Sequence, residues 1–252
     1  MLIIYLIIFI LGATIGSFVN VVALRYGSGL SFARGSSICF ACGKKLKWRE
    51  LLPIISYIKQ KGRCSACHSA FSIQYLLVEI ISGIAFVWLF IKFGLSLDFL
   101  LLSIVYCLLI IIFIYDLRHK IIPDFFALLF ILFSFLYSYF IIHNSLFIIL
   151  TSGSLIPLPF ALIWLLSKGR LMGLGDAKLM AGMGLLLGLS GGISAVFISF
   201  WLGGAFVFIL YLYKKLFKTS YNITMKSELP FAPFLILGAI LTFIFGINLF
   251  SF

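Results

Sequence analysis

Apolar residues run along this chain in stretches far longer than the alternation of a half-buried strand or the stripe of a surface helix. At about 20 residues per membrane crossing, the pattern predicts eight helical spans, at roughly 2–24, 75–93, 99–117, 124–142, 145–167, 177–190, 193–213 and 231–250. The sixth is short and rich in glycine, so 177–213 also reads as one broken helix plus another. Such runs suit helices rather than barrel strands, because backbone groups in hydrocarbon need partners within their own segment. The expected fold class is therefore an all-α integral membrane protein of about eight transmembrane helices. Residues 25–74 break the pattern: they are polar and basic, and they form a small loop domain between helices 1 and 2. The expected organisation is helix 1 over 1–24, the loop domain over 25–74 and a membrane domain over 75–252. The first run reads as a retained helix. Met1 to Tyr5 carry no basic residue, the run exceeds a signal-peptide core, and no A-x-A site follows.

Composition narrows the picture. Hydrophobic residues make up 63% of the chain and charged ones 10%, with mean hydropathy +1.24, which excludes a soluble globular enzyme, a disordered tail and a secreted disulfide scaffold. The net charge of +12 first suggests nucleic acid or an anionic surface as partner. Yet 18 of the 19 Lys and Arg residues fall on four alternate loops, at 25–74, 116–124, 168–178 and 214–230, leaving Lys92 on the other side. These include Arg34, Lys218 and Lys226. By the positive-inside rule those loops are cytoplasmic and both termini lie outside. The charge is then mostly topological. No aromatic-interleaved basic domain remains to bind nucleic acid.

The loop domain carries Cys39-Phe-Ala-Cys42 and, after 21 intervening residues, Cys64-Ser-Ala-Cys67. Two C-x-x-C pairs at this separation point to a zinc ribbon, in which four thiolates close a structural tetrahedral site with no open position. Arg34, Lys44, Lys45 and Arg63 favour the thiolate forms. A reducing cytoplasm favours metal over disulfides. A loop of this size also has little core without a staple. The competing reading is four free or redox-paired thiols. His68 reads as a surface or supporting residue rather than a fifth ligand, and Cys107, within span 3, as an inert buried thiol.

Acidic residues number only seven, and carboxylates are expensive at membrane depth. Glu50 and Asp98 sit at loop edges and attract little attention. Asp116 closes span 3 and Asp176 opens span 6 in Gly173-Leu-Gly175-Asp176, both at the expected cytoplasmic edge. Two carboxylates facing each other there cannot both ionise easily. One holds a proton while the other activates a water, the aspartic-protease arrangement. Gly173 and Gly175 let the backbone turn tightly and let a substrate strand approach. The plainer alternatives are an ion pair of Asp116 with Arg118 or Lys120, and a helix cap at Asp176. Asp124, after Pro123, reads as the N-terminal cap of span 4. Glu79 lies near the cytoplasmic end of span 2. It reads as snorkelling or pairing with a basic residue such as Arg25, or else as a functional group. The pairs Gly12/Gly16, Gly184/Gly188 and Gly188/Gly192 read as small-residue packing faces.

Several segments taken in order resemble the type IV prepilin peptidases. They are Gly16-Ser-Phe-Val-Asn-Val-Val22, the two C-x-x-C pairs, Leu46-Lys-Trp-Arg-Glu-Leu-Leu-Pro53 and Tyr75-Leu-Leu-Val-Glu79. They continue with Asp116 to Asp124, Gly173 to Lys178, and Pro230-Phe-Ala-Pro-Phe234. The resemblance implies that Asp116 and Asp176 are the catalytic aspartates, with Gly173, Gly175, Lys178, Arg118 and Pro123 supporting substrate and loop. It implies an endopeptidase in a bacterial inner membrane that removes a short basic leader after a glycine, ahead of a long apolar helix. Members with the cysteine loop also N-methylate the new N-terminus using S-adenosylmethionine. Glu79 is the candidate for that half, and no G-x-G-x-x-G fingerprint supports it independently. Expected partners are prepilins or pseudopilins and membrane lipid, with no nucleic acid. Ala232 and His68 stand where the family commonly has glycine; neither is expected to touch the chemistry. Two other classes fit the intramembrane acids: an ion-coupled transporter, though the chain halves show no repeat, and a non-catalytic pilus or secretion assembly factor.

Overall fold

The computed structural model describes residues 1–29, 31, 36–39, 41–217 and 230–250; Arg34, Lys218 and Lys226 lie outside the described residues. Its helices are α1 (Leu2–Arg25), α2 (Ile55–Lys59), α3 (Ile73–Phe93), α4 (Leu97–His119), α5 (Asp124–Phe140), α6 (Leu146–Leu155), α7 (Leu158–Ser167), α8 (Leu174–Phe217) and α9 (Ala232–Phe245). A short 3₁₀ turn, Trp48–Glu50, precedes α2. Among the described residues, extended pairing is limited to two isolated bridges in the cysteine loop, Ile38 with Lys45 and Arg63 with Ala70. Five helical segments are long and apolar enough to cross a membrane: Leu2–Arg25, Ile73–Phe93, Leu97–His119, Leu146–Ser167 and Leu174–Tyr213. The protein is an all-helical membrane protein.

The expected spans reappear with three local differences. Span 145–167 breaks into α6 and α7 at Pro157, which lacks the N–H that a continuous helix would use. The last span is shorter than its apolar run. Gly246 closes α9 in the left-handed region, and the chain beyond bends back. The third difference resolves the ambiguity over 177–213. Helix α8 breaks at Gly188 (φ 72°, ψ −177°). A Cβ on Gly192 would lie 3.2 Å from the Cα of Gly184, whereas eight residues along a straight helix span about 12 Å. The chain therefore folds back on itself, and two arms cross where two spans were expected. Gly184 and Gly192 serve this reversal, while Gly188 is the turn and not a packing face. Its backbone conformation is open almost only to glycine. Gly188→Ala should therefore cost about 1–3 kcal/mol, read as a lowered unfolding midpoint in detergent.

Contacts divide the chain within α4 into two compact units, Met1–Ile111 and Ile112–Phe252. In the first, α1 lies against α3. Gly12 sits on Ser82 and Phe86, Gly16 on Ser82 and Val78, and Gly83 beneath the ring of Phe9, so the small-residue face packs as expected. Ser82 also meets the Tyr106 hydroxyl of α4 at 3.1 Å. In the second unit, α5, α6 and α9 pack on α8 around Phe130, Ile149, Leu179, Met180, Met183, Leu235 and Ile236, all fully buried. Buried hydroxyls turn back onto carbonyls of their own helices, as with Ser152 on Ile149 (3.0 Å) and Ser199 on Ala195 (2.6 Å). That is how polar side chains are tolerated where no water competes. The Ser194 hydroxyl accepts the Leu249 N–H at 2.8 Å and the Ser190 hydroxyl donates to the Phe250 carbonyl, so the tail is tied beside the Gly188 reversal.

Candidate active site

The second unit brings Asp116 and Asp176 together. Asp116 lies in the last turn of α4, only 4% exposed. The helix stops just beyond it, where Lys120 adopts φ 55° and returns its N–H to the Asp116 carbonyl at 2.8 Å. Ile121, Ile122 and Pro123 then lead into α5, with Ile122 and Pro123 buried. This linker packs on the first turn of α8: a Cβ on Gly175 would come within 2.8 Å of the Ile122 Cβ. Only glycine at 175 lets the two strands of chain approach so closely, and the approach carries Asp176 to Asp116. Their carboxylates lie within each other's electrostatic reach.

Each carboxylate is held by a backbone donor. Asp176 is the third residue of α8 and accepts the Gly173 N–H, reaching back over the helix start as the acidic residue of a capping box does. It thus braces the helix from inside rather than capping it from outside. Asp116 accepts the N–H of Ala232, the fully buried first residue of α9. That amide is one of the unpaired donors of a helix start, where partial positive charge favours an anion. Ala232 was expected to stand clear of the chemistry. It touches Asp116 through its backbone, which the side chain at that position does not reveal. The Oδ2 of Asp116 is buried and accepts no hydrogen bond from a described residue. Arg118 and Lys120 are exposed, whereas Asp116 is buried.

Asp124 is the first residue of α5, with Pro123 at the cap position, so it is a first-turn acid rather than the cap itself. Its carboxylate receives Lys178 Nζ at 2.6 Å. Asp124 is 71% exposed there, so Lys178→Met should change stability by less than about 1 kcal/mol. Thermal unfolding in detergent checks this. Beside the start of α9 an apolar groove of about 380 Å³ opens between Phe200, Gly203, Gly204, Val207, Pro230, Phe231 and Phe234.

In the first unit, the cysteine loop folds as two knuckles of one design. The Cys39 N–H binds the Lys44 carbonyl (2.9 Å) and the Gly43 N–H binds the Cys39 carbonyl (2.8 Å). In the second, the Cys64 N–H binds the Ser69 carbonyl (2.9 Å) and the His68 N–H binds the Cys64 carbonyl (3.0 Å). Gly43 (φ 70°) and His68 (φ 55°) occupy the same left-handed position, which explains why glycine suits both sites. His68 is exposed and acts through this turn, not as a ligand. The four Sγ atoms lie within 4.8 Å of one another, with Cys39–Cys67 at 3.8 Å and Cys42–Cys64 at 4.0 Å. A tetrahedron with metal–sulfur bonds of about 2.3 Å has edges of about 3.8 Å, so the donor set fits zinc. All four cysteines are unbridged. Hydrogen bonds from Ser69 and nearby amides hold the Cys39 thiol down to about 6. Cys107 is half-buried rather than enclosed.

Glu50, set aside from sequence as a loop-edge acid, stitches the knuckles together. It accepts Lys44 Nζ (2.9 Å), the Lys47 N–H (2.8 Å) and the hydroxyl of Ser65. The Ser65 hydroxyl, then the Lys47 amide and Lys44, push its carboxyl down from 4.5 to about 2. A depressed carboxyl stabilises the fold above its ordinary value. That contribution is lost as pH falls from 4.5 towards about 2. Glu79 is 6% exposed and neither snorkels nor pairs with Arg25, whose guanidinium donates to the carbonyls of Ser31 (2.8 Å) and Ser36 (3.3 Å). Glu79 instead accepts the Ile54 N–H at 2.7 Å and a bond from Ser17.

Comparison with known proteins identifies two family domains along the chain. The bacterial peptidase A24 N-terminal domain matches residues 10–93, which hold the cysteine loop, and the type IV leader peptidase family matches residues 103–208, which hold Asp116 and Asp176. The prepilin leader peptidase/N-methyltransferase of Bacillus subtilis (strain 168) is 30% identical over 246 residues, 98% of this chain and 96% of its own. That of Dichelobacter nodosus is 30% identical over 221 residues, 84% of this chain and 71% of its own. That of Pseudomonas putida is 25% identical over 283 residues, 96% of this chain and 91% of its own. No solved structure gives a significant match. With matches to both family domains and a relative alike over nearly its whole length, the chain belongs to the type IV leader peptidase family.

Proposed function

We propose that the chain is an aspartyl endopeptidase of the bacterial inner membrane. It removes the short basic leader of type IV prepilins or pilin-like proteins at the cytoplasmic face and N-methylates the new N-terminus. The observation that carries the reading is the meeting of Asp116 and Asp176, each with one backbone donor, in a unit with a largely apolar core. In the proposed reaction one carboxyl holds a proton and the other, ionised, takes a proton from a water. The water oxygen attacks the scissile carbonyl carbon while the protonated carboxyl donates to its oxygen. Collapse of the resulting diol breaks the C–N bond, and the leaving amine takes a proton from the dyad. Gly173, Gly175, Pro123, Arg118 and Lys178 are assigned to shaping the loops around this site. The groove beside α9 suits the apolar helix that follows the leader.

The distribution of basic residues supports placing the cysteine loop and both aspartates on the cytoplasmic side, with the termini outside. Cys39, Cys42, Cys64 and Cys67 would hold a structural zinc, which closes the loop domain over 25–74 and takes no part in bond breaking. S-adenosylmethionine would supply an electrophilic methyl group. Glu79 is assigned to the methyl-transfer half through the turn it holds at Ile54. The test uses purified protein and a prepilin-like peptide, with products weighed by mass spectrometry. The expected result is cleavage after the leader glycine, and a gain of one methyl on the new N-terminus that requires S-adenosylmethionine. An intact peptide overturns the peptidase reading. Methylation that persists after the cysteine loop is destroyed separates the second activity from the loop.

A further inference from the structure

We propose that the 47–61 face of the cysteine loop is a lipid anchor that beds into an anionic membrane surface. Within eleven residues this segment exposes Trp48 (67%), Leu51 (41%), Leu52 (38%), Ile55 (62%) and Ile58 (64%). These side chains lie outside the knuckles, whose own buried groups are Cys39, Cys64 and Gly62. Ile55 and Ile58 are three apart on α2 and share a face. Five large apolar groups within one short stretch of a small loop mark a surface that meets something apolar.

The depth of the segment says what it meets. The Ile54 N–H is bound to Glu79, six residues into the apolar helix α3, which is about 9 Å along the helix from its start. The chain dips to that level through a tight turn. Ile54 takes φ 63° and ψ −54°, a strained setting for a β-branched residue, and the Ile55 N–H closes on the Pro53 carbonyl at 2.6 Å. The buried Glu79 carboxylate holds this turn, so Leu51, Leu52, Ile55 and Ile58 flank a point fixed within the membrane-crossing helix.

Charge selects the lipid. Lys45, Lys47, Arg49, Lys59, Lys61 and Arg63 are exposed around the apolar cluster. The single acid of the loop, Glu50, is already engaged by Lys44, Lys47 and Ser65. The Arg49 guanidinium lies 5.2 Å from the Trp48 ring, the pairing of an aromatic and a cation that suits a headgroup boundary. A basic leader peptide would be repelled by this rim, whereas an anionic headgroup layer is attracted to it.

The test uses the full zinc-loaded chain in nanodiscs of phosphatidylcholine alone or mixed with phosphatidylglycerol. Hydrogen exchange of the amides at 51–61 should slow about tenfold in the anionic discs, and the quadruple change Lys47→Gln, Arg49→Gln, Lys59→Gln, Lys61→Gln should erase the difference. A chain with Trp88, Trp164 and Trp201 changed to Phe leaves Trp48 as the reporter. Its emission should be quenched by nitroxide lipids and shielded from aqueous iodide. Equal exchange in both lipids, iodide quenching without lipid quenching, or protection that appears only with a second protein present overturns the proposal. None of these readouts depends on peptidase or methyl-transfer activity.

Discussion

Asp116→Asn and Asp176→Asn should each lower cleavage of a prepilin-like peptide by at least about a thousandfold, while the purified variants keep their unfolding midpoint within a few degrees. The amide is isosteric with the carboxyl, so packing survives. It supplies neither a base nor an acid proton, so each variant loses one of the two roles and the concerted attack on the carbonyl fails with it. The backbone donors survive both changes alike. Asn at 116 still offers an oxygen to the Ala232 N–H, and Asn at 176 still offers one to Gly173. Residual folding damage should therefore be slight at both sites. Because the groups act as a pair, the double variant should be little worse than either single one. Wild-type cleavage in either single variant would remove the aspartyl mechanism.

Cys39→Ser and Cys64→Ser should each abolish stoichiometric zinc binding, measured as metal per chain after gel filtration under reducing conditions. These are the two fully buried cysteines, and each opens a knuckle whose turn closes on its carbonyl. Apparent binding of structural zinc in zinc-finger peptides is on the order of 10–16 kcal/mol, far more than the loop's hydrogen bonds supply. Loss of one ligand should therefore release the loop as a unit. The expected signs are protease sensitivity confined to residues 25–74 and unchanged peptide cleavage, with methyl transfer lost. Cys107→Ser, away from the cluster, should leave metal content intact.

The sequence patterns that proved legible are local ones. Apolar runs set the spans, and the two knuckles announce themselves because each pair of ligands and its turn lie within a few residues of each other. The fold-back at Gly188 was half visible, as a short glycine-rich run that admitted two readings. The aspartates emerged because acids are scarce in the chain, and the family resemblance then joined them. What stayed hidden depends on long-range contact. The Ala232 amide is a backbone donor that any residue but proline would supply. Glu50 looked idle because its partners, Lys44, Lys47 and Ser65, are brought together only by the closed knuckles. Glu79 looked like a candidate for an ion pair because its true partner, the Ile54 amide, is invisible to charge counting.

The contact of Ile122 with Gly175 makes the spacing of the two carboxylates a matter of hydrocarbon size. A methyl at 175 would wedge the linker outward and carry Asp116 away, so Gly175→Ala should depress cleavage at least about tenfold. Only a change that takes away the Ile122 Cβ itself should undo the damage. In the peptide-cleavage assay, Ile122→Gly should therefore restore activity to Gly175→Ala, whereas Ile122→Val and Ile122→Ala, which keep that Cβ, should not. Ile122→Gly should not rescue Asp176→Asn. Such allele specificity would report the geometry of the pair through cleavage alone.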